Sequence, residues 1–110
     1  MNKLSALSAL AALGQDTRLE TFRLLVKAGA KGMPAGDIAS RLGAVQNTMS
    51  AHLKILTHAG LVRAQRDGRS IRYAADMTGF RDLLAYLMED CCNGAPELCR
   101  PVIDAVICDC

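Results

Sequence analysis

The 110-residue sequence predicts a small, mainly α-helical domain carrying one β-hairpin. Two patterns say so. Apolar side chains recur every three or four residues through most of the chain, and the period switches to two only around Asp67-Gly68. A chain of this length makes one domain. With 4% aromatic residues and no Trp, its core must be aliphatic and thin, and a second copy of the chain is a natural source of extra burial. At 51% hydrophobic and 22% charged residues the composition is globular, not disordered. No run of 18 apolar residues occurs, which excludes a membrane-spanning helix. The opening MNKLSALSALAALGQD is interrupted by Ser5 and Ser8 and reads as a helix that stays on the protein, so the expected location is the cytoplasm.

In chain order, Leu4, Leu7 and Ala11 set a first helix over 3–13, stopped by Gly14. Asp16 is the expected N-cap of a helix over 17–28 with an apolar stripe of Leu19, Phe22 and Val26. Gly29 and Gly32 break it. After Pro34 a short helix over 35–42 ends at Gly43, a favoured residue just past a helix end. A longer helix over 45–59 turns Val45, Met49, Leu53 and Leu56 inward and is closed by Gly60. Two helices joined by a short Gly-containing turn form a helix-turn-helix. Strands over 61–66 and 69–74 then flank Asp67-Gly68, a strong hairpin signal. A two-residue turn there sets Arg63 opposite Arg72 and Arg66 opposite Arg69. Like charges directly opposite repel, so such pairs make sense around an external anion, with phosphate the obvious choice. A last clear helix runs from Met77 to about Cys91, its wide apolar face (Met77, Phe80, Leu84, Leu87, with Leu83 and Met88 beside them) suited, together with the first helix, to a dimer interface. Beyond Asn93-Gly94 only one short helical turn near 102–106 is expected.

Charge and cysteine are unevenly placed. Residues 1–76 hold 11 basic and 5 acidic side chains, a net of +6, whereas residues 77–110 hold 2 and 6, a net of −4. A basic body points to a polyanionic partner. All five cysteines, Cys91, Cys92, Cys99, Cys108 and Cys110, fall in the last 20 residues. An odd number in a protein expected in the cytoplasm argues against a disulfide framework and for thiolate chemistry, either metal or redox.

Three stretches carry a family resemblance: Asp37 to Gly43, Val45 to Val62, and Arg66 to Tyr73. The pattern Ser50-x-His52-Leu53-x-x-Leu56-x-x-Ala59-Gly60-Leu61 followed by a charged hairpin resembles the winged helix-turn-helix core of the ArsR/SmtB metalloregulatory repressors, over about residues 5–92. The resemblance implies a homodimer that blocks a promoter until a metal or metalloid binds. It divides the chain into a DNA-binding and dimerisation domain, residues 1–92, and a cysteine-containing tail, residues 93–110.

A recognition helix enters the major groove N-terminal end first, so base-reading groups should crowd its first turns. Gln46, Asn47, Thr48 and Ser50 do, with His52 one turn beyond Thr48 and Lys54 a further candidate. Gln and Asn can pair bidentately with adenine, and Ser and Thr are versatile partners. Read blandly, Asn47 and Thr48 cap the helix and His52 packs on its neighbour. Arg66, Arg69 and Arg72 are expected at phosphate or in the minor groove, where they position the protein without reading much sequence.

The sensor reading rests on Cys91, Cys92 and Cys99. Vicinal helical residues point about 100° apart, so both thiolates reach one ion only if the helix end opens, which Asn93-Gly94 permits. Six residues then separate Cys92 from Cys99, enough to fold a third sulfur back. Three sulfurs without a nearby His select a soft ion. Within the family this resembles the three-thiolate sites of sensors for trivalent arsenic or antimony. Cys108 or Cys110 could add a fourth sulfur and make a Cys₄ zinc or cadmium site. The Cys-x-Cys of one arsenic branch is absent from Gly32–Ile38, and the histidines of the zinc branch are absent from the last helix.

The expected function is therefore a homodimeric, cytoplasmic repressor on double-stranded operator DNA, released by As(III) or Sb(III) and needing no cofactor to fold. A redox-switched or Zn/Cd-responsive repressor of the same fold is the alternative, and a winged-helix protein-interaction module a more distant one. No Ser/His/Asp grouping, phosphate loop or carboxylate pair beside a His suggests an enzyme.

Overall fold

The computed structural model describes residues 1–89 and 96–106. Along these the order is α1 (Lys3–Leu13), α2 (Asp16–Ala28), a 3₁₀ turn (Gly29–Lys31), β1 (Met33–Pro34), α3 (Ala35–Leu42), α4 (Gln46–His58), β2 (Val62–Asp67), β3 (Ser70–Ala75), α5 (Met77–Leu87) and α6 (Pro96–Val106). The strands form one antiparallel sheet in the order β1-β3-β2. A mainly helical body with a hairpin is the fold class expected from the sequence.

The core is aliphatic. Leu25, Ile38, Met49, Leu53, Leu56 and Leu61 are fully buried, and Phe22 stacks at a tilt on Phe80, ring centroids 5.2 Å apart. Met49, Leu53 and Leu56 are the inward stripe expected of the fourth helix. Val45 is not part of it: it lies at the N-cap, 69% exposed, because α4 starts only at Gln46.

Of the first two helices, α2 buries a face rotated from the expected stripe. α1 turns Ala6, Ala9 and Ala12 to the body and leaves Leu4, Leu7 and Leu10 outside. Small side chains let it lie close on α2 and α4, so the leucines make an uncovered face. In α2 the buried residues are Thr21, Phe22 and Leu25, whereas Leu19 and Val26 stay exposed. Its N-cap is Gln15, whose side chain accepts from the Arg18 N–H, and Asp16 is already helical.

The hairpin register also differs. Asp67 pairs with Ser70, so the turn is Gly68-Arg69. A primed turn needs positive φ at its first central position; Gly68 supplies it at 64° and keeps Asp67 in the strand. Arg63 therefore faces Ala74, Arg66 faces Ile71 and Arg72 faces Gln65. The expected Arg–Arg pairs do not form, so no like-charge pair there calls for an anion between the strands. Neither pattern nor length announced β1, two residues paired with Arg72 and Tyr73 at the sheet edge, where Pro34 is tolerated.

α5 is capped by Asp76, which accepts from the Gly79 N–H at 3.0 Å. It ends at Leu87, a turn short of Cys91. Within the chain only Leu83 of its apolar face is buried; Met77, Leu84 and Leu87 are exposed, and α5 runs beside α1. Beyond it α6 is an 11-residue helix, longer than the single turn expected, in spite of Pro101 inside it. Among the described residues no helix is long and apolar enough to cross a membrane.

Candidate nucleic-acid interface

α3 and α4 meet across Gly43–Val45 and pack on each other. Gly43, in the left-handed region, ends α3 as expected, and its N–H returns to the carbonyls of Ala39 and Ser40. This seats α4 with its apolar stripe on the core and its first turn projecting.

Val45 offers α4 no side-chain cap, so Asn47 and Thr48 do not serve as one. Gln46, Asn47, Thr48, Ser50 and Lys54 are all exposed. Among the described residues none of their side chains hydrogen-bonds to the protein. Their donors and acceptors face solvent in the order in which a major-groove helix would spend them.

His52 is different. It is half-buried, and its Nδ1 lies 3.4 Å from Nη1 of Arg18 on α2. Burial first, and then the Arg18 charge, push its pKa below the ordinary 6.5. The imidazole is thus neutral at neutral pH and tied to the body on one side.

The arginines also divide. Arg66 and Arg69 are exposed at the hairpin tip, and among the described residues they make no ion pair. Arg72 is committed within the chain: Nε donates to Lys31 O at 2.9 Å and Nη2 to Gly32 O at 3.0 Å. It clasps the sheet to the 3₁₀ turn, with Nε and Nη2 spent within the chain. An open cleft of about 710 Å³ beside it is lined by Lys31, Gln65, Arg66 and Asp67 among others. Lys31 is a basic residue that pattern reading passed over, because nothing in the sequence shows that the 3₁₀ turn lies beside the hairpin. A second cleft of about 410 Å³ separates α4 from the hairpin, lined by Ser50, Lys54, Thr57, His58, Ala64 and Tyr73.

Of the cysteines, Cys91, Cys92, Cys108 and Cys110 lie outside the described residues, as does Asn93-Gly94. Cys99, on α6, is 5% exposed and its sulfur is in a disulfide. Among the described residues no three His, Cys, Asp or Glu side chains are grouped to hold a metal ion.

A helix-turn-helix whose second helix projects unspent polar groups beside a hairpin tipped with free arginines defines a winged-helix DNA-binding regulator. The comparisons agree. A family model described as a helix-turn-helix domain matches residues 13–65. The structure is similar to an ArsR-like transcriptional regulator from Rhodococcus sp. RHA1, at 26% identity and TM-score 0.70, covering 94% of this chain and 93% of that one. It is similar to a possible transcriptional regulator for arsenical resistance, at 31% identity and TM-score 0.62, covering 91% and 98%. It is also similar to the homodimeric winged helix-turn-helix domain of Mb0332 from Mycobacterium bovis, a possible ArsR-family regulator, at 29% identity and TM-score 0.62, covering 78% and 79%. No curated protein sequence matches. This chain belongs to the ArsR family of helix-turn-helix transcriptional regulators. The matching domain and these neighbours are regulators, not enzymes.

Proposed function

We propose that the protein is a homodimeric repressor that holds operator DNA through α4 and the hairpin and releases it when As(III) or Sb(III) is bound by Cys91, Cys92 and Cys99. The observation that carries the sensor half is the gathering of all five cysteines into the last 20 residues. The donor set fits a thiophilic ion: sulfur is the ligand that soft ions select, and residues 77–110 contain no His. Cys108 and Cys110 are further candidate ligands. The uncovered leucines of α1 and the exposed face of α5 beside it supply the two-fold contact. Such a dimer sets its recognition helices about one duplex turn (roughly 34 Å) apart. Inducer binding at the chain's end then favours a dimer of different spacing, with a coupling of about 1–3 kcal/mol per site.

Labelled duplex carrying the operator, held by the reduced protein, tests this: arsenite or antimonite should release it, and retention at saturation rejects the scheme.

The Cys99 disulfide favours a second reading, a repressor switched by oxidation. Two thiols and one peroxide would give a disulfide and two waters, and reductant would reverse it. Release by peroxide with no metalloid present, restored by dithiothreitol, selects this reading.

A further inference from the structure

Arg18 is half-buried, and two of its side-chain nitrogens are engaged inside the protein. Nε donates to the carbonyl of Ala12, in the last turn of α1, at 2.7 Å. Nη1 meets Nδ1 of His52, on the recognition helix, at 3.4 Å. Its own N–H is held by the Gln15 side chain, which fixes where the residue leaves α2. One guanidinium thus bridges three helices, and among the described residues it pairs with no carboxylate.

A guanidinium has only N–H donors and does not lose its proton, so the nitrogen it meets must be an acceptor. In a neutral imidazole one nitrogen accepts and the other carries the hydrogen. If Nδ1 accepts, the hydrogen is on Nε2. We propose that Arg18 is a positioning residue for DNA recognition: by donating to His52 Nδ1 it fixes the imidazole as the Nε2–H tautomer, so that His52 presents a hydrogen-bond donor to the operator. The inference rests on the DNA-binding reading above and adds the sign of one contact. His52 stands one turn after Thr48, so its free edge borders the surface formed by the first turns of α4. The atom that a donor seeks is an acceptor, either a base-edge oxygen or nitrogen or a phosphate oxygen. The same bridge ties the end of α1, whose leucines face outward, to the recognition helix.

The test uses the full chain. Long-range ¹⁵N–¹H NMR of the histidine rings, assigned with the His58→Gln variant, should show His52 protonated at Nε2 and bare at Nδ1. Arg18→Met should give a mixture of tautomers, and Arg18→Lys should restore the single form. Duplexes enriched by the wild-type protein from a randomised library serve as the DNA probe. His52→Ala should weaken binding about tenfold, the size of one good contact. The loss falls on one position of each half-site if the acceptor is a base edge, and on all sequences alike if it is phosphate. In the His52→Ala background Arg18→Met should cost nothing more, a non-additivity that a purely structural Arg18 would not give. A hydrogen on Nδ1 in the wild-type protein, additive losses, or unchanged binding by His52→Ala overturns the proposal. If the wild-type protein enriches no duplex, the DNA reading fails and the donor role falls with it, while the NMR result still decides whether Arg18 sets the tautomer.

Discussion

Gly79, in the first turn of α5, lies against the carbonyl oxygen of Gly60, so closely that a Cβ at position 79 would overlap it. Gly60 belongs to the link that ends the recognition helix, and the Asp76 N–H donates to Leu61 O at 2.8 Å just beside it. The helix expected at the dimer interface is therefore seated directly on the backbone that ends α4. Gly79→Ala should destabilise the fold by about 1–3 kcal/mol, as overpacking against backbone does. Urea denaturation measures it, and an unchanged midpoint would show that α5 yields freely at this seat.

The hairpin arginines should separate into two kinds. Arg72→Ala loses two hydrogen bonds to main-chain carbonyls and should cost about 1–3 kcal/mol of stability. Arg66→Ala and Arg69→Ala, at the exposed tip, should stay within about 0.5 kcal/mol of wild type. Each should instead lower the salt slope of DNA binding by about one if it neutralises a phosphate. Thermal melts alongside binding at several salt concentrations resolve the two classes.

Leu7 lies on the uncovered face of α1. Leu7→Glu places a charge where the proposed two-fold contact needs apolar surface, so sedimentation should show the mass of a single chain and DNA affinity should collapse. A variant that keeps the mass of two chains would move the interface elsewhere.

His52 gives stability a pH dependence of defined sign. Its folded pKa lies below 6.5, for reasons of burial first and the Arg18 charge second. Between the two pKa values the unfolded chain binds the extra proton, so stability falls as pH drops below 6.5 and through the folded value. His52→Gln should flatten that part of the profile, measured as urea midpoint against pH.

Elements with strong period or strong punctuation were legible in the sequence. Met49, Leu53 and Leu56 marked the buried side of α4, and Gly43 ended α3. What periodicity could not give was the choice between two apolar faces. In α1 the spacing of Leu4, Leu7 and Ala11 marked a helix, but not that its close neighbours take alanine and send the leucines outward. The hairpin was legible and its register was not, because the turn is decided by which residue takes positive φ, and Gly68 takes the first central place. The projecting groups of α4 could be read directly. The engagement of His52 by Arg18 and of Arg72 by Lys31 and Gly32 could not: those partners are 34 and about 40 residues apart in the chain.

The most direct measurement is fluorescence anisotropy of labelled operator duplex held by the reduced protein, titrated with arsenite. Release by the wild type, with Cys91→Ser still bound at the same arsenite concentration, is the predicted result. A reduced wild-type protein that stays bound at saturation, or a chain lacking residues 91–110 that lets go equally well, would contradict it.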